Sequence, residues 1–174
     1  MTLTPLDSSL DSMSDISPKI IPKSIEIQAY TFGRLALDLY QAHLTIWPTN
    51  DAEATQFARF GIPFVVNGAF AIELYFKTLY MIHSGSLPRG HNLSKLFDGL
   101  PIGTRTAVNN AASDKSSTSE VSWIGYVKEV SEAFVQIRYL FEQKQNMKLP
   151  IPEIVYLLEV LSAATTNELE RLKP

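Results

Sequence analysis

Apolar residues recur through most of the chain at spacings of three and four, the period of a helix that buries one face. Ile25, Phe32, Leu35, Leu39, Ala42 and Ile46 form the first such stripe. Ser24 is placed to cap it and Glu26 puts a carboxylate in the first turn, so a helix is predicted from about Ile25 to Ile46. Gly33 either weakens that helix, by about 1 kcal/mol relative to Ala, or permits a close contact with another helix. Trp47-Pro48-Thr49-Asn50-Asp51 breaks the pattern, residues 52–60 are compatible with a short helix, and Gly61 and Pro63 interrupt it. Pro63 suits the first turn of a new helix, where its missing N–H costs nothing. From there to His83 the chain is apolar on nearly every side, which predicts a central helix covered by neighbours.

Gly85 is a candidate C-cap and Pro88 prevents continuation; Asn92 then caps a short helix carrying Leu93, Leu96 and Phe97. Residues 104–112 form a weaker helical candidate and Ser113–Glu120 an internal loop. Ser122 opens a strong helix to about Lys144, with Trp123, Val127, Val130, Phe134, Ile137 and Phe141 on its seam. Pro150 and Pro152 precede a last helix carrying Ile154, Leu157, Leu158, Leu161, Ala164, Leu169 and Leu172. Nothing alternates with period two over a useful length. The expected fold is all-α, a bundle of four main helices plus short ones.

Length and composition refine this picture. At 174 residues the chain fits one domain, over 23–174. Residues 1–22, rich in Ser, Asp, Thr and Pro, bury too little apolar surface to order themselves and are expected to be a flexible tail. A formal charge of −3 argues against a strong general nucleic-acid binder, while leaving room for a local basic patch. The absence of cysteine excludes disulfides, thiolate metal sites and a cysteine nucleophile. The polar start lacks the pattern of a signal peptide and no run reaches 18 apolar residues, so a cytoplasmic protein with no membrane partner is expected.

Candidate chemistry is sparse. None of the three histidines, His43, His83 and His91, has a Glu three residues before it, so no carboxylate-bridged metal site is expected, and no cofactor. The run Gly99–Gly103 lacks the Gly-Lys-Ser/Thr ending of a phosphate loop. Glu73 and Lys77 are four apart on the apolar helix. They are either a salt bridge at its edge or part of a polar site between helices, because an apolar surround makes them costly unless paired. His91 either anchors its loop through a ring hydrogen bond or does acid–base or phosphate work. Arg138 and Glu142 repeat the four-residue spacing, with Tyr139 between them. Arg138 could satisfy Glu73 across the bundle or bind a phosphate through two parallel hydrogen bonds.

Three pieces in this order, Asn67-Gly68-Ala69-Phe70-Ala71-Ile72-Glu73-Leu74-Tyr75-Phe76-Lys77, Gly90-His91-Asn92-Leu93 with Leu96-Phe97, and Phe134 through Ile137-Arg138-Tyr139 to Glu142, resemble the HEPN superfamily of helical domains. The resemblance implies an up-and-down bundle that forms a homodimer, with relatives in toxin–antitoxin and phage-defence systems, many of them metal-independent ribonucleases. It makes Glu73, Lys77, His91, Arg138, Tyr139 and Glu142 the ligand-binding candidates, and Arg138, His91 and Glu73 the catalytic ones. The ribonuclease members carry a His four to six residues after the late Arg. Here Arg138 is followed by YLFEQKQNMKLP, without a His. The expectation is therefore a non-catalytic domain that binds RNA, a nucleotide or an antitoxin-like protein partner. One alternative is a divergent ribonuclease using Arg138 with His91 or Glu73; another is a structural dimerisation module.

Overall fold

The computed structural model of the protein describes residues 20–46, 57–115, 120–138 and 149–173. They form six α-helices: α1 (Ile20–Ile46), α2 (Ile62–Ser84), α3 (Leu93–Asp98), α4 (Ile102–Lys115), α5 (Glu120–Arg138) and α6 (Ile151–Arg171). The fold is all-α, with four longer helices (α1, α2, α5 and α6) and two shorter ones.

Helix directions follow from the residue pairs that touch. Phe32 stacks edge-on against Phe70 at 4.8 Å, and Tyr40 meets Phe64 at 5.6 Å, so partner numbers fall along α1 as they rise along α2: the two are antiparallel. Gly68 abuts Ile154, and His83 pairs with Glu168, so α2 and α6 run parallel. The short α3 runs alongside α2, with His91 at Glu73, Phe97 against Phe76 and Gly99 against Tyr80. Along α5, Trp123 packs on Phe97 while Ser131 to Gln136 face Asn92, so α5 returns in the opposite sense. The four long helices therefore go up, down, up and down. α2 lies at the centre, burying Phe64, Val65, Ile72, Tyr75, Phe76 and Leu79. The stretch Arg59–Ser84 is, among the described residues, long and apolar enough to cross a bilayer by length and composition, but 67% of its most apolar window is buried inside the bundle.

Several local expectations hold. Gly85 ends α2 with φ 67° and donates its N–H to Met81 O at 3.0 Å, a left-handed cap that suits a residue without Cβ. Pro63 and Pro152 lie in the first turns of α2 and α6. Asn92 caps α3, its Oδ1 accepting from the Lys95 N–H at 2.9 Å.

The first helix differs from expectation. It begins at Ile20, so Ile20–Pro22 belong to the helix and not to the tail, and Ser24 lies inside it. Pro22 is tolerated there because a first-turn N–H has no intrahelical acceptor. The large residues of the expected stripe do not form its core face either. Ala29, Gly33 and Ala36 are buried, Phe32 and Leu39 are half-buried, and Leu35 is 46% exposed. Small side chains let the axes of α1, α2 and α6 come close, so the bulky ones are displaced to the flanks. Residues Phe57–Gly61 form a π-helical turn that runs into α2 without a break. Pro63 has no N–H to give to the carbonyl four residues back, and the ladder changes register just ahead of it. The predicted extension of α5 to Lys144, with Phe141, lies outside the described residues.

Candidate functional site

Glu73 is the point from which the site is built. It projects from α2 into the core and is 1% exposed, in a setting where an ionised carboxylate is costly unless hydrogen-bonded to opposite charge. Both requirements are met locally. One turn further on, Lys77 Nζ donates to Glu73 Oε1 at 2.8 Å. From the loop after α2, His91 Nδ1 lies 2.9 Å from Oε1 and 3.1 Å from Oε2. The oxygens of an ionised carboxylate can only accept, so beside one Nδ1 serves as the donor.

The loop geometry explains how a residue 18 positions away reaches this carboxylate. Gly85 turns the chain off α2, and Gly90 has φ 97°, a conformation that side-chain-bearing residues rarely adopt. Asn92 then starts α3, whose Leu93, Leu96 and Phe97 anchor it in the core. His91 is fixed between that turn and that cap. Its side chain is 59% exposed, whereas Lys77 is 17% exposed. The site therefore has a closed end at Glu73 and an open end at His91. Among the described residues Nε2 of His91 has no hydrogen-bond partner. A carboxylate that holds Nδ1 fixes the ring and leaves Nε2 for an outside group. Exposed Arg89 and Lys95 flank His91 in the same short segment.

Beside this segment lies a cleft of about 230 Å³ between the start of α3 and α5, lined by Asn92, Ser131, Glu132, Val135 and Gln136. Four of its five lining residues carry polar groups, and Ser131 is buried. Arg138 closes α5 seven residues after Ser131, which gives the two the same helical register. The Arg138 side chain, Tyr139 and Glu142 lie outside the described part of the molecule. Glu73, Lys77 and His91 are thus brought together. The expected contact of Arg138 with Glu73 lies outside the described residues.

A second, unforeseen cluster repeats the chemistry at the other end of α2. Glu168 on α6 is 5% exposed, accepts from Arg171 Nη1 at 2.7 Å and lies 3.2 Å from His83 Nε2. The i, i+3 spacing of Glu168 and Arg171 is visible in the sequence; that His83 joins them depends on the parallel packing of α2 and α6. Also unforeseen is Tyr75, a phenol held at 2% exposure. Burial pushes its pKa above the usual tyrosine range; a hydrogen bond with Ser162 opposes this, and the charge of Glu26 and the Tyr30 phenol add to it. Among the described residues no group of three or more His, Asp or Glu side chains is placed to hold a metal ion. No protein-family model, curated protein or solved structure matches the chain.

Proposed function

We propose that the protein is a HEPN-like binding domain of toxin–antitoxin or phage-defence type, which takes up a phosphate of RNA or of a nucleotide at the open end of the Glu73 site without cleaving it. The observation that carries this reading is the gradient in exposure, from a carboxylate at 1% to an imidazole at 59% tied to it by Nδ1. A core ion pair needs only Lys77; placing a histidine at the surface on a buried carboxylate orients Nε2 towards solvent. In the imidazolium form Nε2–H donates to a phosphate oxygen, and exposed Arg89 and Lys95 add positive charge within seven residues. The cleft next to it can accept the sugar or base of the same ligand. Homodimerisation and an antitoxin-like protein partner belong to the same reading and rest on the sequence resemblance; a cytoplasmic location rests on the polar start and the lack of an 18-residue apolar run.

One further reading is favoured by the same pair. A neutral imidazole held by a carboxylate at Nδ1 is the arrangement of a general base, with Nε2 accepting the proton of a ribose 2′-hydroxyl. In that case the domain is a divergent metal-independent ribonuclease, with Arg138 the candidate for stabilising the phosphate. Incubation of purified protein with end-labelled RNA in chelator separates the two. Binding weakened by His91→Ala, with intact RNA, supports the binding domain. Cleavage abolished by His91→Ala or Arg138→Ala replaces it with the nuclease.

A further inference from the structure

On the side of the bundle formed by α1, α2 and α6 there is a second cavity, of about 200 Å³, whose lining includes Tyr30, Gly33, Arg34, Leu37, Tyr75 and Leu158. It shares no residue with the Glu73 site. Three observations indicate a built groove and not a packing defect. The first is a contrast between two buried glycines. A methyl group on Gly68 would overlap Ile154, so that glycine is required by helix packing. A methyl group on Gly33 would stand 3.4 Å from Leu158 Cδ2 and 3.8 Å from Ala71 Cβ, both ordinary contacts. Packing therefore accepts Ala at position 33, and Ala would favour the helix; what the missing side chain does is leave the groove floor open. The second is Tyr75, a buried phenol-bearing side chain that lines the groove together with Ser162. The third is the mouth. Tyr30 is 54% exposed there, a large aromatic ring left in water, next to Arg34 at 56%.

The chemistry of these groups defines an occupant. An apolar cavity of about 150 Å³ accepts a benzene molecule, so this groove has room for one ring with a short arm. Leu37, Leu158 and the bare backbone at Gly33 offer apolar surface, and Tyr30 offers a ring face or edge for aromatic contact. Two charged residues line the groove. Glu159 on α6 is already engaged in an interaction of its own. Among the described residues Arg34 on α1 pairs only with Asp38, at 3.4 Å, and that carboxylate is 65% exposed, a long surface pair that a better acceptor can displace. Two exposed donors of the guanidinium fork match a carboxylate.

We propose that this groove is a binding site for a small aromatic carboxylate, its ring held between Tyr30, Leu37 and Leu158 over Gly33, and its carboxylate taken by Arg34. The test uses three probes with one apolar part and three head groups: 3-phenylpropionate, 3-phenylpropylamine and 3-phenylpropan-1-ol. Each is titrated into the full chain and followed by ligand-observed NMR. The acid is expected to bind about tenfold more tightly than the alcohol or the amine, the value of one charge-assisted contact. Arg34→Gln removes that preference and leaves the weaker binding of the alcohol unchanged. Tyr30→Ala, at a position with no core role, weakens all three, and Gly33→Leu blocks them if its circular dichroism shows a folded helix bundle. The proposal is overturned if the acid shows no saturable binding or if the amine or alcohol binds as tightly. It is equally overturned if the acid's affinity is the same in Arg34→Gln and Tyr30→Ala as in the natural protein.

Discussion

Replacing Lys77 by Met isolates the energetic logic of the Glu73 site. Lys77 is one of two groups that compensate a carboxylate at 1% exposure, and the other, His91, is more than half in solvent. Removing a partner from a buried ion pair costs about 3–5 kcal/mol, because a charge is left uncompensated. His91 still donates to Glu73, which places Lys77→Met at the lower edge, about 3 kcal/mol. For a chain of this length that is a fall in Tm of roughly 6–12 °C. The converse change should be milder. In Glu73→Gln the groups left behind, Lys77 and His91, both have access to water, so the loss is about 1–2 kcal/mol of hydrogen bonding. The double variant Glu73→Leu/Lys77→Met buries no unpaired charge, and His91 is free to turn to solvent. Its stability should return to within about 1 kcal/mol of the natural protein. Urea unfolding of the four proteins followed by circular dichroism ranks their stabilities. The reasoning is refuted if Lys77→Met proves no more damaging than Glu73→Gln, or if the double variant is less stable than Lys77→Met alone.

Other consequences are independent of that comparison. His91→Ala removes a ring that is mostly in solvent, so it should lower stability by less than about 1 kcal/mol while weakening RNA or nucleotide binding, a split visible by comparing melting and anisotropy data. Gly68→Ala forces a methyl group onto Ile154 and should cost about 1–3 kcal/mol, whereas Gly33→Ala, with room for its Cβ, should be neutral or stabilise by up to about 1 kcal/mol; paired thermal melts show whether the signs differ. Asn92→Ala removes the side-chain cap of α3 and should cost about 1 kcal/mol in denaturant unfolding. Tyr75 has a folded-state pKa raised above its ordinary value of 10.0, so the unfolded chain loses this proton first as pH rises. The stabilisation is complete below about pH 10 and is lost as pH rises through the folded value. Tyr75→Phe should flatten the fall in stability above that pH.

Much of the fold was legible because it depends on local signals. The all-round apolar character of α2, the left-handed cap at Gly85, the Asn92 cap and the proline starts of α2 and α6 are each decided within a few residues. The first helix differs from its expected stripe because apolar periodicity favours large side chains, while its core face is Ala29, Gly33 and Ala36, too small to register as an apolar stripe. The pairing of Glu73 with Lys77 was visible as an i, i+4 spacing. That His91 joins them needed the loop geometry set by two glycines with positive φ. The Glu168 cluster and the Tyr30–Gly33–Tyr75 groove were invisible for the same reason. Each is assembled from helices far apart in the chain, and no local pattern records their juxtaposition.

The central claim is that a buried carboxylate holds His91 at the surface to bind a phosphate-bearing ligand. Fluorescence anisotropy of an end-labelled single-stranded RNA, titrated in chelator with the natural protein and with His91→Ala, and resolved on a denaturing gel afterwards, tests it most directly. Saturable binding is expected, about tenfold weaker in His91→Ala, with the RNA intact in every lane. Equal binding by the two proteins, or RNA cleaved only by the natural one, would contradict the account.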